Sequence, residues 1–244
     1  MNVADLDKAD TDAPLFAPDA FRLSDFQAEL IEKCRKFGKK YLAPRAAKHD
    51  RDATFPIENF RDMHPAGLLA ICIPKSSGGL GADYKTYALA ASELGRYCGA
   101  TALSWNMHVC STVWSGPISD EMDMPADVRA LHLKRREVHY ERIIRDGAVY
   151  AQPFSEGGAA AAGAVAFGTE AKPVDGGYIV NGKKIFASLS GSADYYGALC
   201  TRRAEGEDAL RRNTLYLGIP ANAPGVSVTG DWDPLGMRGT VSRT

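Results

Sequence analysis

The sequence predicts an α+β protein in which an all-helical N-terminal domain is followed by an antiparallel β-barrel domain. Apolar residues recur every three or four positions in segments up to about residue 146. From about residue 147, short β-rich runs follow, and glycine-containing turns separate them. We therefore predict a flexible lead-in over 1–20, a helical domain over 21–146 and a β domain over 147–244.

The first helix is predicted within LSDFQAELIEKCRKFGKKYLAP. Its apolar residues repeat with helical spacing and define one face: Phe26, Leu30, Cys34, Phe37 and Tyr41. Ser24 and Gln27 form a capping-box pattern at the start of the segment. Pro44 is expected to end or bend the helix.

Three further helical segments follow before the β domain. One begins after Pro56, a long Ala- and Leu-rich segment covers 83–114, and a third covers 125–147. Between the first two, ICIPKSSGGLGAD indicates an apolar run followed by a glycine-rich loop.

The β domain is predicted from five short runs: AVYAQPF, YIVNGKKIFASLS, YYGALCT, TLYLGIPA and VSVTG. Asp175-Gly176-Gly177 and Asn181-Gly182 are typical of hairpin turns. Because hairpins join neighbouring antiparallel strands, we expect an antiparallel sheet or barrel rather than βαβ units.

Composition excludes several classes of function. The 29 basic and 30 acidic residues give no electrostatic case for nucleic acid or an anionic membrane. The five cysteines are scattered without metal-ligand or disulfide-framework spacing, and no run of about eighteen apolar residues could span a membrane. The acidic start lacks signal-peptide features, so a reducing, cytoplasmic location is expected.

Familiar catalytic motifs are also absent. The sequence contains no P-loop, no strand-linked GxGxxG and no GxSxG. His132 and His139 could share a helical face, but a metal site would need a third ligand, so solvent or core positions are favoured. No metal is predicted.

Two stretches of the β domain, AVYAQPFSEGG and NGKKIFASLSG, could contribute to a flavin site. Flavin binding requires hydroxyl or N–H donors, an aromatic wall and small residues that allow close approach. Ser155, Phe186 and Ser188 supply these groups, and in an alternating strand Phe186 and Ser188 would share one side. From spacing alone, ordinary core and turn roles are favoured over this interpretation.

A set of stretches, taken in order, resembles the acyl-CoA dehydrogenase family. They are KKYLAP, FPIENF, AGLLAICIPKSSGGLGADY, FSEGG, DGGYIVNGKKIFASLSGSADYY and DPLGMRGT. The resemblance covers about residues 22–244. Several stretches in the family's order carry far more weight than any one alone.

The resemblance implies a helical domain, a middle β-barrel domain and a C-terminal four-helix domain, with FAD between the last two, commonly in a homo-oligomer. It implies α,β-dehydrogenation of an acyl-CoA, with electrons passing to an electron-transferring flavoprotein. The C-terminal helical domain carries the catalytic glutamate in most members. The sequence stops at Thr244, so we expect a truncated chain with no catalytic residue that is inactive alone.

The resemblance also assigns cofactor-binding residues. The family's Thr-Glu-Pro falls on Ser155, Glu156 and Gly157, and its Trp-Ile-Thr falls on Phe186, Ala187 and Ser188. Ser155 and Ser188 would hydrogen-bond the flavin and Phe186 would cover it. The complete set of expected cofactor-binding residues is Gln152, Phe154, Ser155, Gly157, Gly158, Phe186, Ala187 and Ser188.

One departure from the family concerns the substrate. The family serine that contacts the pantetheine arm falls on Ala161, which weakens the case for an ordinary straight-chain acyl-CoA. This departure and the Phe-Ala-Ser variant keep open a flavin-dependent monooxygenase of the same fold. A third alternative is a non-catalytic, truncated assembly partner.

Overall fold

Helices form the first part of the chain and strands the second, in a computed structural model that describes residues 21–157, 165–203 and 211–244. The helices are α1 (Asp25–Phe37), α2 (Ala43–Asp52), α3 (Ile57–Met63), α4 (Tyr84–Gly95), α5 (Gly99–Val113) and α6 (Ala126–Asp146). The strands are β1 (Tyr150–Ala151), β2 (Glu170–Val174), β3 (Gly177–Asn181), β4 (Ala187–Ser188), β5 (Tyr195–Arg202), β6 (Thr214–Pro220) and β7 (Ser242–Arg243). The predicted lead-in over 1–20 lies outside the described residues.

The predicted capping box at the start of α1 is confirmed. The Ser24 hydroxyl accepts a hydrogen bond from the Gln27 amide at 3.3 Å, and the Ser24 amide donates to Gln27 Oε1 at 3.1 Å. One π-helical turn over Gly38–Leu42 joins α1 to α2, and Pro44 lies in the first turn of α2. Helix α1 therefore ends at Phe37, before Pro44, and the expectation that Pro44 ends it was wrong, because the first turn of a helix accommodates proline.

The helical segment expected over 83–114 contains two helices. It breaks after Gly95, and Cys98 caps α5 by accepting a hydrogen bond from the Thr101 amide at 3.4 Å. Helix α5 supplies Trp105, which is fully buried and donates from Nε1 to the Leu68 carbonyl at 3.0 Å. The indole thereby satisfies its only donor while filling the centre of the helical core.

The main sheet is mixed, so the prediction of an antiparallel barrel was wrong. Strand β5 pairs antiparallel with β6 along its length, and its other edge pairs parallel with β1 at one end and with β2 at the other. Strand β3 extends the sheet beyond β2 as an antiparallel hairpin. In the described part of the chain the sheet is open, with β4 and β7 forming a separate two-stranded sheet.

Hairpin signals predict only local strand pairing, which explains this error. The turn at Asp175-Gly176 does join β2 to β3, as predicted. Asn181-Gly182 forms no hairpin, because the next strand, β4, pairs with β7 instead of β3. A Cβ on Gly182 would lie 2.4 Å from Thr169 Oγ1 and 2.6 Å from Thr169 Cα, so this glycine allows two backbone segments to pass closely.

A buried histidine connects the helical core to the sheet. The His108 ring, on α5, donates from Nε2 to the Leu69 carbonyl and accepts at Nδ1 from the Tyr150 amide, both at 3.0 Å. Only a neutral imidazole can make both hydrogen bonds. Burial lowers the pKa of His108 to about 4, which keeps the ring neutral over the physiological range.

Gly182→Ala should lower the free energy of unfolding by roughly 1–3 kcal/mol, because the new methyl group would overlap the Thr169 backbone. Gly177→Ala is the matched control, since a Cβ at Gly177 meets nothing within 4 Å. Urea denaturation measures both variants. Equal stability of the two variants would contradict the close approach at Gly182.

The His108 junction predicts a loss of stability in mild acid. The folded-state pKa of about 4 lies below the unfolded value of about 6.5, so the full stability is present above about pH 6.5 and declines as the pH falls towards 4. The loss attributable to this ring is about 3 kcal/mol. Denaturation curves for His108→Gln should show a shallower decline between these values, whereas curves for the partly exposed His132→Gln control should parallel those of the wild type.

Candidate functional site

Residues 152–157 and 184–188, far apart in the sequence, lie side by side in the structure. The Ile185 amide donates to the Ser155 carbonyl at 2.8 Å. One residue away on each stretch, Lys184 Nζ lies 2.6 Å from Glu156 Oε1. The two predicted flavin-binding stretches therefore form one continuous surface.

Glu156 is held as a carboxylate by three donors. Besides Lys184, the Thr169 amide donates to Oε1 at 2.9 Å and the Gly168 amide donates to Oε2 at 2.7 Å. Burial alone would raise the pKa of Glu156, but these hydrogen bonds outweigh it and leave the pKa below its usual value. Glu156 is consequently a poor general base, because its charge is already engaged.

The two predicted hydroxyl groups are available to a ligand. Ser155 is half-buried, and its hydroxyl makes no hydrogen bond to any described residue. Ser188, also half-buried, has only a long contact of 3.4 Å to the Ser242 hydroxyl, across the β4–β7 pair. Each hydroxyl can therefore donate to an external acceptor without breaking a strong internal bond.

Phe186 has 67% of its surface exposed, which is unusual for an aromatic side chain. Its φ angle is +53°, in the left-handed region that non-glycine residues rarely adopt. Phe186 and Ser188 were expected to alternate along one strand. This expectation was wrong, because Phe186 has a left-handed backbone and β4 begins only at Ala187. A strained backbone that presents an exposed ring indicates a ligand-binding role.

Gln152 and Phe154 face an aromatic cluster that the sequence did not predict. Gln152 is buried, and its Oε1 accepts from the Tyr216 hydroxyl at 2.8 Å, while its Nε2 has no partner among the described residues. The Phe154 ring packs edge-to-face against Trp114 and Tyr216, with centroids 5.8 and 6.3 Å away. Trp114 and Tyr216 come from distant parts of the sequence, and no local motif marks either residue.

The described residues fit a flavin. An exposed aromatic ring, the Ser155 and Ser188 hydroxyls and Gly157 lie on the two joined stretches, and of the two hydroxyls only that of Ser188 has a contact with a described residue, the long one to Ser242. Gly157 has a φ angle of +78°, and a Cβ there would come within 3.7 Å of Ile185. Of the remaining predicted residues, Gly158 and Ala161 lie outside the described residues.

Two other kinds of site receive no support. Within the described ranges, no three His, Cys, Asp or Glu side chains are grouped closely enough to hold a metal ion. The described helices are all too short or too polar to cross a membrane.

Solved structures with similar backbones share the arrangement of a helical region followed by a sheet region. Butyryl-CoA dehydrogenase from Megasphaera elsdenii is 21% identical with a TM-score of 0.71, and it aligns with 91% of this chain and 55% of its own. FMN-bound TdsC from Paenibacillus sp. A11-2 is 22% identical with a TM-score of 0.68, over 91% of this chain and 51% of its own.

Sequence comparison identifies the family. Residues 24–119 match the acyl-CoA dehydrogenase N-terminal domain and residues 154–244 match the acyl-CoA dehydrogenase middle domain. The probable acyl-CoA dehydrogenase YngJ of Bacillus subtilis is 28% identical over 90% of this chain and 54% of its own length. The chain belongs to the acyl-CoA dehydrogenase family, which supports FAD as the cofactor, and it spans about half the length of this relative.

The left-handed backbone at Phe186 can be tested with two small replacements. Phe186→Gly should be more stable than Phe186→Ala by about 1 kcal/mol, because only glycine adopts a positive φ without strain. Urea denaturation of the two apoproteins measures the difference. If the alanine variant were as stable as the glycine variant, Phe186 would not be held in this conformation.

Proposed function

We propose that the chain is the helical and middle part of an FAD-dependent acyl-CoA dehydrogenase, which oxidises the α,β bond of an acyl-CoA thioester. The observation that carries the proposal is the hydrogen bond that joins Ser155 to Ile185, the residue before Phe186, in a chain that matches both family domains. The FAD-dependent reaction itself is carried from the family resemblance.

Each residue of the joined surface has a role in this proposal. The Ser155 and Ser188 hydroxyls donate hydrogen bonds to the polar edge of the isoalloxazine, and the exposed Phe186 ring covers one of its faces. Gly157 presents backbone without a side chain, so the cofactor can approach closely. Bound FAD supplies the hydride acceptor of the dehydrogenation.

Gln152 and Phe154 form the floor beneath this surface. Phe154 is fixed by Trp114 and Tyr216, and the Tyr216 hydroxyl fixes the Gln152 side chain. Burial raises the pKa of Tyr216, so its hydroxyl stays protonated and continues to donate. The groups that make these contacts are all uncharged.

The 244-residue chain is expected to bind FAD without catalysing turnover. Glu156, the acidic residue next to Ser155, is engaged by Lys184 and two backbone amides and cannot accept the substrate proton. The same proposal includes an acyl-CoA substrate, an electron-transferring flavoprotein as acceptor, a homo-oligomeric assembly and a cytoplasmic location.

Purified protein incubated with FAD and then freed of excess cofactor should retain the visible flavin absorption bands. Ser155→Ala and Phe186→Ala should each weaken FAD binding about tenfold, which corresponds to the loss of roughly 1.4 kcal/mol of hydrogen bonding or ring contact. Tyr84→Ala removes another highly exposed aromatic ring, on α4, and should leave the affinity unchanged.

Three results would contradict the proposal. A folded but colourless protein would favour the non-catalytic assembly partner. Equal FAD affinity in the Phe186 and Tyr84 variants would show that FAD does not bind at the joined surface. Dehydrogenation of any acyl-CoA by this chain, with a dye as electron acceptor, would show that a base is present after all.

A flavin-dependent monooxygenase is the second candidate, favoured by the Phe186-Ala187-Ser188 variant of the family motif and by the fold shared with FMN-bound TdsC. Titration of the flavin-loaded protein with an acyl-CoA separates the two functions. A flavin spectrum that is perturbed but stays oxidised supports the dehydrogenase, because a chain without a base would bind the acyl-CoA and not oxidise it. An unchanged spectrum, together with rapid oxidation of the reduced flavin by oxygen, supports the monooxygenase.

A further inference from the structure

We propose that Glu156 and Lys184 are positioning residues for the cofactor site, and that their buried ion pair sets the distance between the two stretches that carry Ser155 and Phe186. The inference rests on the proposed function only for the identity of the cofactor. Neither side chain would touch the flavin, because both are committed to partners within the protein.

The pair is buried and its hydrogen-bonding capacity is well used. The side chains of Lys184 and Glu156 are only 10% and 9% exposed. Lys184 Nζ donates to Glu156 Oε1 and to the Leu199 carbonyl, both at 2.6 Å, and lies 3.5 Å from the Phe154 carbonyl. The ammonium group also makes a cation–π contact with Phe167, with Nζ 4.5 Å from the centre of the ring.

Four separate segments meet at this pair. Glu156 belongs to the first flavin-binding stretch and Lys184 to the second. The Leu199 carbonyl belongs to β5, and the Gly168 and Thr169 amides lie at the entrance to β2. A single pair of charges therefore ties both stretches to the main sheet.

The geometry transmits any change in this pair to the candidate flavin-binding groups. Ser155 directly precedes Glu156, and Phe186 lies two residues after Lys184. The hydrogen bond from the Ile185 amide to the Ser155 carbonyl lies between the ion pair and these groups. A shift of one charge by the length of a methylene group would alter the spacing of the hydroxyl and the ring.

An apolar pair of similar volume could stabilise the fold as well as these charges do, because the desolvation of a buried ion pair offsets much of its attraction. Such a pair would lack directional bonds to the carbonyls and amides of three segments: the first stretch, β5 and the entrance to β2. The ionic pair is therefore best explained by the geometry that it imposes.

The test uses two substitutions, each with a matched control. Glu156→Asp retains the charge and shortens its reach, and Glu170→Asp makes the same change in the exposed Glu170–Arg203 pair of the same sheet. Lys184→Met removes the buried ammonium, and Lys172→Met removes an exposed one from β2. Two quantities are measured for each protein: amide hydrogen exchange without flavin, and the Kd for FAD.

We expect Glu156→Asp and Lys184→Met to accelerate exchange of the Gly168, Thr169 and Ile185 amides at least tenfold, while Ala198 and Cys200 in β5 stay protected. The Kd for FAD should rise at least tenfold in the same variants. Both controls should match the wild type in both measurements. If Lys184→Met does not fold, the conservative Glu156→Asp variant carries the test alone.

Unchanged exchange at these three amides in Glu156→Asp would overturn the inference, whatever the affinity for FAD. Altered exchange with an unchanged Kd for FAD would also overturn it, because the pair would then be structural only. If the wild type binds no FAD but the three amides exchange faster in the two variants as expected, the ordering of the two stretches stands and the proposed function fails.

Discussion

The buried Glu156–Lys184 ion pair is the interaction on which the candidate site depends. Together with the hydrogen bond from the Ile185 amide to the Ser155 carbonyl, it holds the two stretches together, and it anchors both to β2 and β5. Because both side chains are about nine-tenths buried, removal of either partner would leave the other as a buried, unpaired charge, which is costly. The same engagement removes Glu156 from acid–base chemistry, because its carboxylate already accepts from Lys184 and two backbone amides.

The helical domain contributes a fixed base for this arrangement. His108, as a neutral ring, links the Leu69 carbonyl of the helical core to the Tyr150 amide at the start of β1. Two residues further along, Gln152 begins the first flavin-binding stretch. Trp114, which directly follows α5, packs against Phe154. Helix α5 and the residue after it thereby support β1 at Tyr150 and the first stretch at Phe154.

Sequence patterns predicted the local features well. The Ser24–Gln27 capping box and the Asp175-Gly176 hairpin both depend on residues within a few positions of one another. The parallel pairing of β5 with β1 and β2 was missed, because parallel partners are joined by long connections that leave no turn motif. The Asn181-Gly182 pair was misread as a hairpin turn. Its glycine instead allows a close approach to Thr169, which is distant in the sequence.

The sequence by itself determined the helical and β halves, the family resemblance and the chemical types needed at Ser155, Phe186 and Ser188. Only the tertiary structure decided that Phe186 is exposed on a left-handed backbone, that Trp114 and Tyr216 pack against Phe154, and that the Glu156 carboxylate forms an ion pair with Lys184. The physical reason is the separation in the sequence between the residues that interact. Periodicity, caps and tight turns are encoded by neighbours in the chain, whereas burial, charge pairing and aromatic contacts arise between residues that meet only when the chain has folded.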